Sequence, residues 1–228
     1  LKNLINEQLA NAVNLPLTDM DLLKTLAPYL KLGNVMGQFL SQLSESSIQS
    51  LEVESFGAVN EVKPVMLSLL KGVLDNVTDV RINYVNVLSI AEERGLSIKF
   101  GYNSSPISYS NLINAKIKTE DSEFSIEGCV LDDKIIKITK IMGYQIDISP
   151  IGQMLLIQNN DIPGVVGKVG SVLGASNVNI AEFILSRDAS GNQAYSIIKI
   201  DDCVSLETLN ELSSLDEVLD VKQITIDE

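Results

Sequence analysis

From residue 152 to residue 228 the sequence changes hydrophobic period in an order that few folds can accept. "MLLIQ" reads as a strand, 163 to 176 as a helix, "VNIAEFILSR" as a strand, and "DASGN" as a hairpin turn into the strand "QAYSIIKI". "SLETLNELSSL" then returns to helical spacing, and "EVLDVKQITI" closes as a strand. This βαββαβ order is the ferredoxin-like unit, whose two helices cross back over one antiparallel sheet. Its expected strand order, 4-1-3-2, leaves the strand at 178–187 on an edge rich in Ile180, Phe183 and Ile184, open to a symmetric mate. A domain boundary is expected around "SPIGQ", 149–153.

Ahead of that boundary the pattern is helical first and strand-like later. Leu23, Leu26, Leu30, Val35, Phe39 and Leu43 recur at helical spacing over 20–43, with Thr18 or Asp19 as cap, while Pro28 and Gly33 predict a kink or an early break. "SIQSLEVESFG" (47–57) alternates imperfectly through Ile48, Leu51, Val53 and Phe56 and reads as a strand. A second helix places Val65, Met66, Leu69, Leu70 and Val73 on one face, with Pro64 in its first turn. "NVLSIAEERG" is a third, closed by Gly95 with Arg94 in the last turn. From 96 to 149 the period becomes two, in "LSIKFGY", "NLINAKIKT", "EFSIEGCVL" and "KIIKITKI". The fold class is therefore α+β: a helix-then-sheet domain followed by the ferredoxin-like unit. "NSSPISYS" (103–110) is the most loop-like stretch and reads as a surface connection.

Composition removes several function classes. With a net charge of −13 over 228 residues, nucleic acid and anionic membrane would be repelled by much of the surface, so neither is an expected partner. No run approaches the roughly 20 apolar residues that span a bilayer. Histidine is absent, which removes the usual general base and the commonest transition-metal ligand, so no metal site is expected and any catalysis would have to rest on carboxylates and lysines. The two cysteines, Cys129 and Cys203, are too far apart in sequence for a ligand pair and read as small buried hydrophobes. Adjacent acids such as Glu92 with Glu93 and Asp201 with Asp202 read as solvated surface. The opening "LKNLINEQLANAVNLP" has neither a starting Met nor the order of a secretory signal, so the expectation is a piece of a longer, cytoplasmic chain.

"NNDIPGVVGKVGSVLGASNVNIAEF" (159–183) places glycines at 164, 167, 170 and 174. A dinucleotide turn needs G-x-G-x-x-G, and this spacing lacks the G-x-G. A Walker A loop needs Ser or Thr after its Lys, but Val169 follows Lys168. The remaining reading is a helix that turns Val165, Val166, Val169, Val172 and Leu173 to the sheet. Each glycine in such a helix costs about 1 kcal/mol relative to Ala. Gly167, Gly170 and Gly174 are therefore expected to let a neighbouring element come close. Asn159, Asn160 and Asp161 sit at the preceding strand's end, before Pro163-Gly164 opens the helix. Asn179 begins the next strand, at the other end of the helix, so bringing it to Asn159 would take a partner chain.

On these residues, the D-x-P-G turn, the glycine-rich helix and "VNIAEF", 152–228 resembles an ACT domain, the small amino-acid-sensing module. "NAVNLP" (11–16) looks like the linker that follows the catalytic domains of long bacterial D-3-phosphoglycerate dehydrogenases. "KPVMLSLLKGVL", "VNVLSIAEERGLSI" and "GCVLDDKIIKITKIMGYQIDI" resemble their intervening domain. The resemblance implies a linker at 1–16, an intervening domain at 17–151 and an ACT domain at 152–228. It also implies a parent enzyme that oxidises 3-phosphoglycerate with NAD in L-serine biosynthesis, this part being regulatory, without catalytic residues or bound cofactor. In the family, L-serine binds between paired ACT domains, which carries over to Asn159, Asp161 and Asn179. Asp161 would take the ammonium, and Asn159 and Asn179 the carboxylate and hydroxyl. A homodimer or homotetramer is implied. Some relatives bind an anion in the intervening domain; Lys137 fits that role, while Tyr144 and Ser149 stand where arginines would be expected. The plain alternative is that Lys134, Lys137 and Lys140 form a solvated strand edge. Two other readings are a structural oligomerisation module without ligand response and the beta chain of an iron–sulfur L-serine dehydratase.

Overall fold

The computed structural model describes residues 20–57, 60–75, 77–78, 80–105, 109–187 and 191–227. The expected linker at 1–16 and the caps Thr18 and Asp19 lie outside them. The chain divides into two compact units, one reaching to Gly143 with Ile148–Pro150, the other formed by Tyr144–Asp147 with Ile151 onward.

In the first unit α1 (Met20–Leu43) precedes β1 (Ser50–Gly57), α2 (Val62–Asp75) and α3 (Val87–Glu93). Then come β2 (Ser97–Asn103), β3 (Asn111–Lys118), β4 (Glu123–Leu131) and β5 (Ile135–Ile141), followed by β6 (Tyr144–Ile148), of which Tyr144–Asp147 belong to the second unit. The six-stranded sheet runs β2-β1-β3-β4-β5-β6. β1 and β2 pair in parallel, since α2 and α3 carry the chain back between them, whereas β3 pairs antiparallel with both β1 and β4. β6 was not foreseen in the sequence. It lies beyond β5, so Lys137 and Lys140 are on an interior strand, not on an edge, and Lys134 is in the preceding turn.

No break occurs at Pro28 or Gly33: α1 is one helix with Pro28 inside it. Its packing explains why. Leu26, Tyr29, Leu30, Leu32, Met36, Phe39 and Leu40 are all buried, which outweighs the hydrogen bond a mid-helix proline removes. Gly33 and Gly37, one turn apart, face α2, and Gly72 of α2 faces back. A methyl group on Gly37 would meet the Leu69 carbonyl oxygen at 2.0 Å, and one on Gly72 the Asn34 carbonyl oxygen at 2.1 Å. The helix backbones are thus in direct contact. Ser68 adds a polar tie, its Oγ donating to the Leu30 carbonyl at 2.6 Å. In β1 the inward places go to Leu51, Val53 and Ser55, with Phe56 only half-buried. Gly95, at φ +69°, closes α3 as expected, and the Leu96 amide returns to the Ala91 carbonyl at 2.9 Å.

The second unit follows the expected order: β7 (Gly152–Asn160), α4 (Val165–Ala175), β8 (Ile180–Arg187), β9 (Gln193–Ile200), α5 (Leu206–Ser213) and β10 (Val218–Ile226). Its sheet runs β10-β7-β9-β8, the 4-1-3-2 arrangement, and all three neighbouring pairs are antiparallel. Leu155, Ile157, Val165, Val169, Val172, Leu173, Ile198 and Leu212 make its core, with Ile180 and Phe183 packed against it. Ser205 caps α5, its side chain accepting from the Thr208 amide at 3.1 Å.

Three sequence expectations are corrected here. Val166 does not face the sheet: it is 48% exposed, because Val165, Val169, Val172 and Leu173 already fill the inward stripe. Gly167, Gly170 and Gly174 have no neighbouring element against them among the described residues, where nothing lies within 4 Å of their Cβ positions. Cys129 is buried as expected, but Cys203 is exposed, because it follows Asp201-Asp202 in the connection after β9, past the last inward position.

Candidate functional site

The turn between β7 and α4 is built by short backbone bonds. The Asp161 amide donates to the Asn192 carbonyl at 2.9 Å, and the Ile162 amide to the Asn160 carbonyl at 3.0 Å. Gly164 then takes φ +99°, a left-handed conformation that a side chain would strain, and its carbonyl accepts the Lys168 amide at 3.0 Å. No side chain caps the helix start.

Three expected ligand residues occupy different settings. Asn159 is 2% exposed, and its Nδ2 donates to the Asn160 carbonyl at 2.8 Å. Asp161, whose side chain is 15% exposed, accepts from Arg187 Nε at 2.7 Å on Oδ2. Arg187 is 67% exposed, so the pair contributes at most about 1 kcal/mol and rearranges at little cost. Asn179 is exposed, with Nδ2 on Asp201 Oδ2 at 2.7 Å.

Strand register sets how far apart they are. Asn159 pairs with Ala194, which pairs with Arg187 on β8. Asn179 instead precedes Ile180, which pairs with Ile200, the partner of Gln153 at the start of β7. The length of β8 separates the two ends, about 23 Å at roughly 3.3 Å per residue. Asn159 and Asp161 therefore share one end of the sheet, and Asn179 stands at the other.

Two participants went unnoticed in the sequence. Arg187 is one; sheet order 4-1-3-2 with antiparallel register would have placed it beside the β7 end. The second is Glu217, whose backbone carbonyl accepts the Asn160 amide at 2.8 Å. Lys168 Nζ lies 2.5 Å from Glu217 Oε1, and this hydrogen bond holds the carboxyl below its usual range, while Oε2 is buried without a hydrogen-bond partner.

Lys137 is half-buried on β5 opposite Cys129, and Lys140 is paired with Glu127 at 2.9 Å. Tyr144 opens β6. Among the described residues no three His, Cys, Asp or Glu side chains are grouped to hold a metal ion, and no helix is long and apolar enough to cross a membrane. A dinucleotide does not fit the β7–α4 turn. The G-x-G approach to a pyrophosphate is missing.

Residues 25–142 match the family model of the D-3-phosphoglycerate dehydrogenase intervening domain. The D-3-phosphoglycerate dehydrogenase of Bacillus subtilis is 28% identical over 95% of this chain and 42% of its own length. That of Synechocystis is 31% identical over 95% of this chain and 40% of its own length. The chloroplastic D-3-phosphoglycerate dehydrogenase 3 of Arabidopsis thaliana is 31% identical over 92% of this chain and 39% of its own. Among solved structures, the ACT domain from the GTP pyrophosphokinase of Chlorobium tepidum aligns at 16% identity and a TM-score of 0.28, covering 32% of this chain and 96% of that one.

The first unit is thus an intervening domain of the kind that this family model describes. The chain belongs to the D-3-phosphoglycerate dehydrogenase family and spans about two-fifths of the length of the curated relatives it matches.

Proposed function

We propose that this chain is the regulatory and oligomerising part of an NAD-dependent D-3-phosphoglycerate dehydrogenase, and that 152–228 is an ACT domain that senses L-serine when two copies pair. One observation carries the reading: Asp161 and Asn179, both polar and both at strand ends, lie at opposite ends of one unit. A two-fold mate placed along β8 would set the Asn179 of one copy against the Asp161 of the other. β8 is suited to such a mate, since it is the outer strand, pairs with β9 alone among the described strands, and carries Ile180, Phe183, Ile184 and Leu185 only partly buried. NAD chemistry belongs, in this reading, to a catalytic part outside residues 1–228, and the setting is cytoplasmic.

Self-association is the first test. Sedimentation at tens of micromolar should give a dimer or larger assembly, and a strict monomer would contradict the proposal. L-serine is the second. At 100-fold excess over its dissociation constant a ligand adds about 2.7 kcal/mol of apparent stability. For a chain of this size that is a melting shift of roughly 5–10 °C. Asp161→Ala and Asn179→Ala should each remove most of the shift, because a ligand polar group left unpaired in a closed interface costs more than its remaining contacts return. Lys137→Ala, on the other unit's sheet, should leave it intact. A dimer with no shift at millimolar L-serine would favour a purely structural oligomerisation module.

A further inference from the structure

The Asp161–Arg187 pair offers both halves of a receptor for a zwitterion, and we propose that Arg187 binds the carboxylate of the α-amino acid whose ammonium sits on Asp161. This rests on the amino-acid reading above and adds a residue to it. Arg187 Nε is bound to Asp161 Oδ2 at 2.7 Å. Among the described residues, Asp161 Oδ1 accepts no hydrogen bond and the terminal Nη nitrogens of Arg187 donate none. The carboxylate thus keeps one oxygen for an ammonium, and the guanidinium keeps the planar fork that matches a carboxylate bidentately. In a free α-amino acid the two charged groups share one carbon, so a single ligand can engage both members of an ion pair at once. A peptide, an amide or a simple amine cannot.

The surroundings leave the carboxylate role to Arg187. Asn159 is 2% exposed and has already committed its amide nitrogen to the Asn160 carbonyl at 2.8 Å. Lys168, the other cation near this strand end, is held by Glu217 at 2.5 Å. On a chain of net charge −13 an arriving carboxylate needs a local cation. The two sides of the pair also differ in freedom. Asp161 is 15% exposed and tied through its backbone to Asn192, while the 67% exposed Arg187 side chain is free to adjust around the ligand. Asp161 therefore fixes the position of the ammonium, and Arg187 selects for a free carboxylate.

Calorimetric titration of this chain with L-serine and with L-serinamide, which keeps the ammonium and hydroxyl but lacks the carboxylate, tests the assignment. In the wild type L-serine should bind on the order of tenfold or more tighter than L-serinamide, a charge-assisted pair being at stake. Arg187→Gln should weaken L-serine by that factor and leave L-serinamide unchanged, so that the preference disappears, and Arg187→Lys should restore part of it. If Arg187 only latches the turn, Arg187→Gln will change both ligands alike or tighten L-serine by freeing Asp161, and either result overturns the proposal. Asp161→Ala should weaken both ligands. A wild type that binds L-serine with Arg187→Gln binding it equally refutes the role of Arg187 alone. A wild type that binds neither compound refutes the amino-acid reading and this assignment with it.

Discussion

Gly37→Ala is expected to destabilise the first unit by about 3 kcal/mol or more, lowering its melting temperature by roughly 6–12 °C. The added methyl would stand 2.0 Å from the Leu69 carbonyl oxygen, 2.8 Å from the Val73 nitrogen and 3.0 Å from the Gly72 carbonyl carbon. All three are backbone atoms of α2, so no side-chain rotation relieves the clash and the helices must move apart. That movement opens gaps around Leu32, Met36, Leu69 and Leu70, each of which is fully buried. Gly72→Ala should do the same from the other side. Gly167→Ala supplies the contrast, because among the described residues nothing lies within 4 Å of its Cβ position in α4. There the helix gains what glycine withholds, about 0.5–1 kcal/mol. Thermal melts of the three variants by circular dichroism check the set; a loss of under about 2 °C for Gly37→Ala would contradict direct backbone contact.

Asn111→Ala should cost about 3 kcal/mol, for a different reason. Asn111 is 4% exposed, and its side chain completes a β-ladder: Oδ1 accepts the Val130 amide at 2.8 Å, and Nδ2 donates to the Val130 carbonyl at 2.8 Å. Its own backbone stands opposite Gly57 on β1, while the β3–β4 register begins only at Ile113 with Gly128. The side-chain amide thus stands in for the peptide group that β3 does not present to Val130. Removing it strands a buried donor and a buried acceptor, each worth about 1–3 kcal/mol. Urea unfolding of Asn111→Ala should show a lower midpoint with the slope preserved. An unchanged midpoint for Asn111→Ala would mean that water replaces both bonds.

Local pattern was enough for the second unit. Its period changes are abrupt, its turns carry Pro163-Gly164 and Gly191, and each helix packs on a sheet made of strands nearby in sequence. The order βαββαβ and the edge position of β8 followed from pattern and topology rules alone. The polar cluster at Asn159–Asp161 was legible for the same reason, being contiguous.

What escaped the sequence depended on partners distant along the chain. Glycines carry no sign of whether they face a backbone or open space: Gly33, Gly37 and Gly72 serve a helix contact, while Gly167, Gly170 and Gly174 meet nothing among the described residues. Pro28 predicted a break because its cost is local, whereas the burial that overcomes it comes from α2 and the sheet. Arg187 carries no local sign of a partner, and only strand register places it beside Asp161. Sequence by itself determined most of the elements and, in the second unit, their order, since hydrophobic period and turn chemistry act over a few residues. Tertiary structure alone decided which small residues became contacts and which charges became partners, because those depend on distances between segments that only packing brings together.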